Sequence, residues 1–393
     1  VTKYSQRWES SSYAEVSLGH RETDMRNVTT GAIAALLAST AIASAAGIDR
    51  SGQSVGIIFE EGSYGELSYG YVDPSVSGMS PNAVSPVPTG LADTRDMAPG
   101  YSLTSGGFKV DLADSFSAAV IFDQPFGSSA DYPAPIGPLA DTSAFTTTTA
   151  DLTSSAVSLV GSYDINDNIV VYAGGSYQTM AAVASLPFVG GGYTVDAEAA
   201  SGFGYIVGAA YQIPEIALRV ALTYRSEITT NHDTAEAGLV PTGDVITTVT
   251  TPQSLNLEFQ TGVNEKTLVF GSVRWVEWSK FHLSPPDYAD VAGPLVDYEN
   301  DGITYSLGVG RKLTDNLSGA LTVGYEQAHG TEPTPLAPTD GYLSVGAGLT
   351  YAFDNVEITG GVKYLWLGDA SGPAGTFEDN NAMAFGLKVA FSL

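Results

Sequence analysis

Five basic side chains offer most of the chemistry in this sequence. Arg219, Arg225, Arg311, Lys363 and Lys388 stand in stretches where apolar and polar residues alternate, and read by alternation they point inward, away from the apolar face. A carboxylate ligand leaving water needs a cation to offset its desolvation, and an arginine can hold it bidentately. The same residues would equally serve structural ion pairs with Glu227, Glu258 and Glu326. Arg274 and Glu277 are three apart on one extended stretch, so they face opposite sides unless a bulge intervenes.

A second candidate is apolar. Ile48, Val55, Ile57, Ile58 and Phe59 are set among Asp49, Arg50, Gln53, Glu60 and Glu61, ahead of the first alternating stretch. Inside a polar-walled lumen such a segment presents a greasy surface to an acyl chain, or simply plugs the space by packing. Ile48, Val55, Ile58 and Phe59 join the five cations as substrate-binding candidates. In the loops, Phe126, Phe145, Pro187, Phe188 and Val189 suit a groove that first captures a hydrophobic molecule, or packing within the loops themselves. Asp287, Asp290, Asp297, Glu299 and Asp301 form an acidic cluster, suited to divalent cations bridging to lipopolysaccharide or to solubility alone. No metal site and no cofactor is expected from these patterns.

Enzyme chemistry finds little support. The chain has no cysteine, which removes disulfides, thiolate metal sites and cysteine nucleophiles. The four histidines, at 20, 232, 282 and 329, are widely separated, and no serine–histidine constellation is visible. Glycine runs such as "VGGGY" do not lead a strand into a helix, so phosphate-loop readings fail. A net charge of −27 argues against nucleic acid as a partner.

The elements that must position these residues are strands. "IALRVALTY" (216–224), "SLNLEFQTGV" (254–263) and "YLSVGAGLTYAF" (342–353) each place apolar residues at every second position, and "NAMAFGLKVAFSL" (381–393) ends the chain on the same pattern. Such segments number about fourteen. Tight turns at "LADS", "DINDN", "IPE", "NE", "LTDN" and "FDN" alternate with long connections at 75–100, 124–151, 181–201, 229–252, 282–301, 329–339 and 369–380. This segregation of loop lengths is foreign to soluble sandwiches and usual in outer-membrane barrels, which have short periplasmic turns and long extracellular loops. Lipid then covers the apolar stripes, and the last strand pairs with the first so that no edge stays open.

Export is expected too. "MRNVTTGAIAALLASTAIASAAGIDR", from Met25, has a basic start, an apolar core and an Ala43-Ser44-Ala45 cleavage site. The expected organisation is a non-native upstream extension at 1–24, a signal peptide at 25–45, a short hatch inside the barrel at 46–63 and a transmembrane β-barrel at 64–393.

"SYGELSYGYVDPSVSG" (63–78), "GYIVGAAYQIPEIALRVALTYRSEI" (204–228), "TPQSLNLEFQTGVNEKTLVFGSVRWVEWSKF" (251–281) and "GYLSVGAGLTYAFDNVEITGGVKYLWLG" (341–368) resemble the long-chain fatty acid and aromatic hydrocarbon transporters of bacterial outer membranes, the FadL/TodX-type family. The resemblance spreads over about half of the mature chain. It implies fourteen strands and passive uptake of hydrophobic compounds, long-chain fatty acids foremost, with lateral release into lipid through a kink in the third strand. The alternating terminal strand resembles the recognition signal of the barrel-assembly machinery, and outer-membrane lipids are the other expected partner. A monomer is the default because no coiled coil or long extra domain suggests assembly. The chain departs from the family in its short hatch and missing Asn-Pro-Ala segment. Its third strand, "DSFSAAVIFDQ", has no glycine or proline before Pro125, and the nearest flexible pair is Gly106-Gly107, so no gate residue is assigned by analogy. A surface-interaction barrel and a nonspecific porin remain the alternatives.

Overall fold

The computed structural model describes residues 48–82, 90–136, 142–328 and 334–393; the expected extension, signal peptide, first two hatch residues, His20 and His329 lie outside them. Fourteen antiparallel strands form one closed sheet: β1 (Tyr64–Ser75), β2 (Tyr101–Ala113), β3 (Phe116–Asp123, resumed at Gly127–Asp131), β4 (Thr149–Asn166), β5 (Ile169–Leu186), β6 (Tyr193–Ile213), β7 (Leu218–Arg225 and Ile228–Ala237), β8 (Ile246–Thr251 and Ser254–Asn264), β9 (Thr267–Val276), β10 (Gly302–Lys312), β11 (Leu317–Glu326), β12 (Tyr342–Phe353), β13 (Val356–Leu367) and β14 (Asn381–Ser392). Twelve residues of β1 pair with β14, from Tyr64 opposite Ser392 to Ser75 opposite Asn381, and this closes the barrel. No described helix is long and apolar enough to cross a membrane; the spanning is done by strands.

The period of two assigns each face. Leu321, Leu343, Leu349, Phe385 and Leu387 point outward, and Leu387 is 52% exposed. Burying an apolar side chain is worth about 1.5–3 kcal/mol, so a belt of half-exposed leucines is stable only against lipid. The inner wall carries hydroxyls instead. Ser158 bonds Ser176 across β4 and β5 at 3.0 Å, and Thr350 bonds Thr359 across β12 and β13 at 2.9 Å.

The expected tight turns are present, but two expected long loops are mostly strand. β5 and β6 run on until only residues 187–192 connect them, and β7 and β8 until only 238–245 do. "ITTNHDTAEA" (228–237) is polar on both faces because it rises beyond the lipid; without apolar alternation it reads as loop, yet backbone pairing with β8 and β6 keeps it extended. The wall is therefore tallest here.

One inward assignment is wrong. Arg311 is exposed on the outer face with Leu307 and Val309, while Ser306, Gly308 and Gly310 take the inner positions of β10. Glycine carries no face signal, so the polarity of Arg311 misled the reading. The residue sits at the short-turn rim, where its Nη1 reaches Thr267 Oγ1 at 3.5 Å and its charge meets water.

Candidate functional site

The hatch folds inside the barrel as a turn at Gly52–Gln53, with φ of 61° and 52°, followed by a 3₁₀ turn at Gly56–Phe59. Polar bonds fix it to the wall. Asp49 Oδ2 lies 2.6 Å from Arg274 Nε, both side chains buried; Arg274 also donates to Asn256 Oδ1 at 2.7 Å and Gln53 Oε1 at 3.1 Å. Arg225 Nε and Asn256 Nδ2 donate to the carbonyls of Gln53 and Gly52 at 3.2 and 2.9 Å. The hydroxyls of Ser51 and Ser54 donate to Asp123 and Glu258 at 2.6 and 2.9 Å. Arg274 thus points inward. The apolar residues pack between these anchors: Val55, Ile57 and Ile58 are buried against Ile121, Val160, Tyr172 and Ile206. Phe59 meets the Tyr172 ring edge-on at 5.8 Å.

The wall itself is broken beside the hatch. Strand β3 pairs with β2 only as far as Phe122 opposite Gly106; after Asp123 it leaves the wall and turns into the lumen. There Pro125–Gly127 pairs with the hatch: Arg50 N–H donates to the Pro125 carbonyl and Gly127 N–H to the Ile48 carbonyl, each at 2.8 Å. Ser154 holds the detour from β4, its Oγ accepting from Phe126 N–H at 2.8 Å. Across the break, the first five residues of β2, Tyr101–Ser105, pair with β1 alone among the barrel strands. One side-chain bond spans the opening, from Thr104 N–H to Gln124 Oε1 at 2.7 Å. The break therefore falls at Gln124-Pro125, just past the stretch that offers no glycine or proline. Pro125 supplies no N–H for the ladder, which suits the site where pairing stops.

A cavity of about 140 Å³ runs from the lumen into this opening. Its walls include Leu103, Ser105, Gly107, Ile121 and Phe122, the last an outward, lipid-side residue. Gly107 leaves room for the hatch: a Cβ there would stand 2.7 Å from Ile57 Cδ1 and push that side chain aside. The Arg50 guanidinium closes the upper end, 3.9 Å above the Tyr101 ring and so close to Gly127 that a Cβ there would collide with it at 2.7 Å. Its Nε has no partner among the described residues, and its Nη2 reaches Ser129 Oγ only at 3.5 Å. Arg219 lines the same cavity over the Phe59 ring at 4.4 Å, donating to Gln260 at 3.2 Å.

Above the break, Ile48 and Phe126 join Leu152, Met180, Val195, Trp278, Phe281 and Tyr298 in an apolar cluster under the long loops. A small apolar cavity opens there, lined by Ile48, Leu152, Val195 and Phe281 among others. Three consecutive hatch residues thus face three spaces: Ile48 the apolar loop cavity, Asp49 a polar lumen cavity and Arg50 the lateral opening.

Of the five sequence-derived cations, the structure brings only Arg219 to the lateral cavity. Arg225 holds the hatch backbone, Lys388 pairs with Glu66 at 2.8 Å, Lys363 lines the polar cavity, and Arg311 is outside. Glu227 is exposed and pairs with none of them. Arg50, overlooked as a ligand cation, is put in place by pairing with residues 75 positions away, for which the sequence carries no local signal. The loop acids are largely internal pins: Asp287 accepts from Thr242 N–H and Oγ1 at 2.6 and 2.9 Å, Asp301 from Ser279 Oγ at 2.6 Å, and Asp297 lies 2.7 Å from His282 Nδ1. His232 is buried, its Nδ1–H donating to the Glu198 carbonyl at 2.8 Å and its Nε2 accepting from Thr230 at 2.7 Å.

Glu60, in the hatch, also lines the lateral cavity. Burial pushes its carboxyl up to about 7, partly offset by Lys388 and Arg219. A carboxyl raised this way binds its proton more tightly folded than unfolded, so its contribution is greatest at low pH and is lost as pH rises through about 7. Glu60→Gln is expected to flatten the fall in thermal stability between pH 4.5 and about 7; an unchanged pH profile in detergent would rule this out.

A closed barrel with a lipid-facing belt, a hatch and a greasy opening through its wall suits an outer-membrane channel for hydrophobic compounds. The chain belongs to the outer membrane protein transport protein (OMPP1/FadL/TodX) family, which it matches over residues 57–384. Its fold is similar to that of a Pseudomonas aeruginosa FadL homologue, at 14% identity and a TM-score of 0.67 over 86% of this chain and 91% of that one. The Pseudomonas putida toluene transporter TodX is similar at 12% identity and 0.62, over 89% and 97%. The CymD monoaromatic hydrocarbon channel is similar at 14% and 0.56, over 91% and 97%. No curated protein matches the sequence.

Proposed function

We propose that this channel takes up hydrophobic molecules bearing an acid group, long-chain fatty acids foremost, and releases them through the break between β2 and β3. The observation that carries the reading is Arg50: a buried guanidinium with an unpartnered Nε at the upper end of a mostly apolar opening. An acyl chain gathered in the loop cluster passes Ile48 and Phe126, and its carboxylate meets Arg50 as the tail enters the cavity. Glu66, at the other end of the cavity, is paired with Lys388, so Arg50 is the cation that a carboxylate meets on entering from the loops.

Uptake of labelled oleate and of toluene, in a deletion strain carrying wild-type or variant protein, tests this. A hydrogen bond to a charged group is worth about 1.5–3 kcal/mol, so Arg50→Met is expected to slow oleate uptake roughly tenfold or more and spare toluene, with Arg50→Lys between. Equal losses for both compounds would make the opening indifferent to charge and favour a hydrocarbon channel. Normal oleate uptake without the protein would leave a surface-interaction barrel instead.

A further inference from the structure

A polar cavity lies on the other side of the hatch from the lateral opening. It has a volume of about 80 Å³ and is lined by serine and threonine hydroxyls from β9 to β12, by Asp49, Arg274 and Glu258, and by Lys363 from β13. Both carboxylates are bonded to other groups, Asp49 to Arg274 and Gly52 N–H and Glu258 to the Ser54 hydroxyl. Lys363 is not. Its side chain is 3% exposed and makes no hydrogen bond or ion pair with the described residues. A second polar group nearby is also unsatisfied: Thr322 Oγ1, on β11, is buried with no hydrogen-bond partner among them. The two flank Gly346 on β12. A Cβ there would stand 2.6 Å from Thr322 Oγ1 and 3.7 Å from Lys363 Cβ, so the absence of a side chain keeps the space between them open.

An ammonium taken out of water without a counter-charge costs several kcal/mol, and a buried hydroxyl left unbonded adds to that. A lysine and a hydroxyl that line one small void, with no carboxylate bonded to either among the described residues, describe part of an anion's coordination shell. We infer that this cavity holds a small monovalent inorganic anion of the halide class, bound between Lys363 Nζ and the Thr322 hydroxyl. A void of this size suits an ion with a water or two and not an acyl chain, and the anion would make Lys363 a fixed counter-charge of the wall and not part of the cargo route.

Bromide is the probe. Crystals of the detergent-purified protein grown in sodium bromide are expected to show an anomalous peak within hydrogen-bond reach of both Lys363 Nζ and Thr322 Oγ1. Replacing gluconate by bromide at constant ionic strength should raise the wild-type unfolding midpoint by several degrees and saturate. That rise should vanish in Lys363→Met and need higher bromide in Thr322→Val, which keeps shape and fold. Absence of a wild-type peak, or a peak or bromide dependence that persists in Lys363→Met and so marks an adventitious ion, overturns the assignment. So does an octanoate carboxylate that displaces the bromide, since the site would then belong to the cargo.

Discussion

Ser105→Trp is expected to cut uptake of hydrophobic cargo at least tenfold while leaving the barrel closed. Ser105 is the last residue of β2 before pairing with β3 begins at Gly106, and its side chain lines the lateral cavity. An indole there projects into a space of about 140 Å³ that also has to admit the cargo. The strand tolerates the change, because aromatic residues favour extended backbone and Ser105 keeps its ladder to Ser68 on β1. Blocking the opening should therefore act on passage and not on folding. The measurement is initial uptake of labelled oleate in whole cells, with heat-modifiable migration on gels reporting the folded barrel. Unimpaired uptake by a folded Ser105→Trp protein would mean the cargo leaves by another route, down the barrel axis.

Arg274→Met is expected to loosen the hatch and open a leak. The guanidinium reaches Asp49, Gln53, Asn256 and Ser254 at 2.6, 3.1, 2.7 and 3.3 Å, so one side chain joins two hatch residues to two wall residues. Removing it strands Asp49 as a buried unpaired charge. Breaking a buried pair from one side costs about 3–5 kcal/mol, chiefly because the remaining charge is uncompensated. The hatch has a way to relieve that cost: residues 48–54 can leave the wall and take Asp49 to water. Planar-bilayer conductance should then rise above the wild-type level, and a protease should cut near residues 50–54. Adding Asp49→Asn removes the stranded charge, so the double variant should recover much of the closure, a coupling that independent sites would not show. A single variant as tight as wild type would mean that the apolar contacts of Val55, Ile57 and Ile58 hold the hatch without the ion pair.

The two expectations differ in how far the residues could be read in advance. The outward stripes, from Leu343 to Phe353 and from Phe385 to Leu393, follow from alternation alone, as do the short turns and the pairing of the last strand with the first. Arg219, Arg225, Lys363 and Lys388 were placed inward by the same rule. Arg311 failed it because Gly308 and Gly310 leave the inner face of β10 unmarked. The extensions of β5–β8 were missed because, above the lipid, both faces are polar and period two disappears. Pro125 was visible, yet nothing near it says that the chain turns into the lumen, since what holds it there is Ile48 and Arg50.

The sequence by itself determined the barrel: a pleated strand puts successive side chains on opposite faces, and lipid on one side with water on the other writes that alternation into every spanning segment. Only the tertiary structure decided where the wall opens and which cation stands beside the opening. Those depend on register and closure, on hydrogen bonds between residues 75 to more than 200 positions apart, and no local pattern of residue types records which distant backbone a strand will leave its neighbour to join.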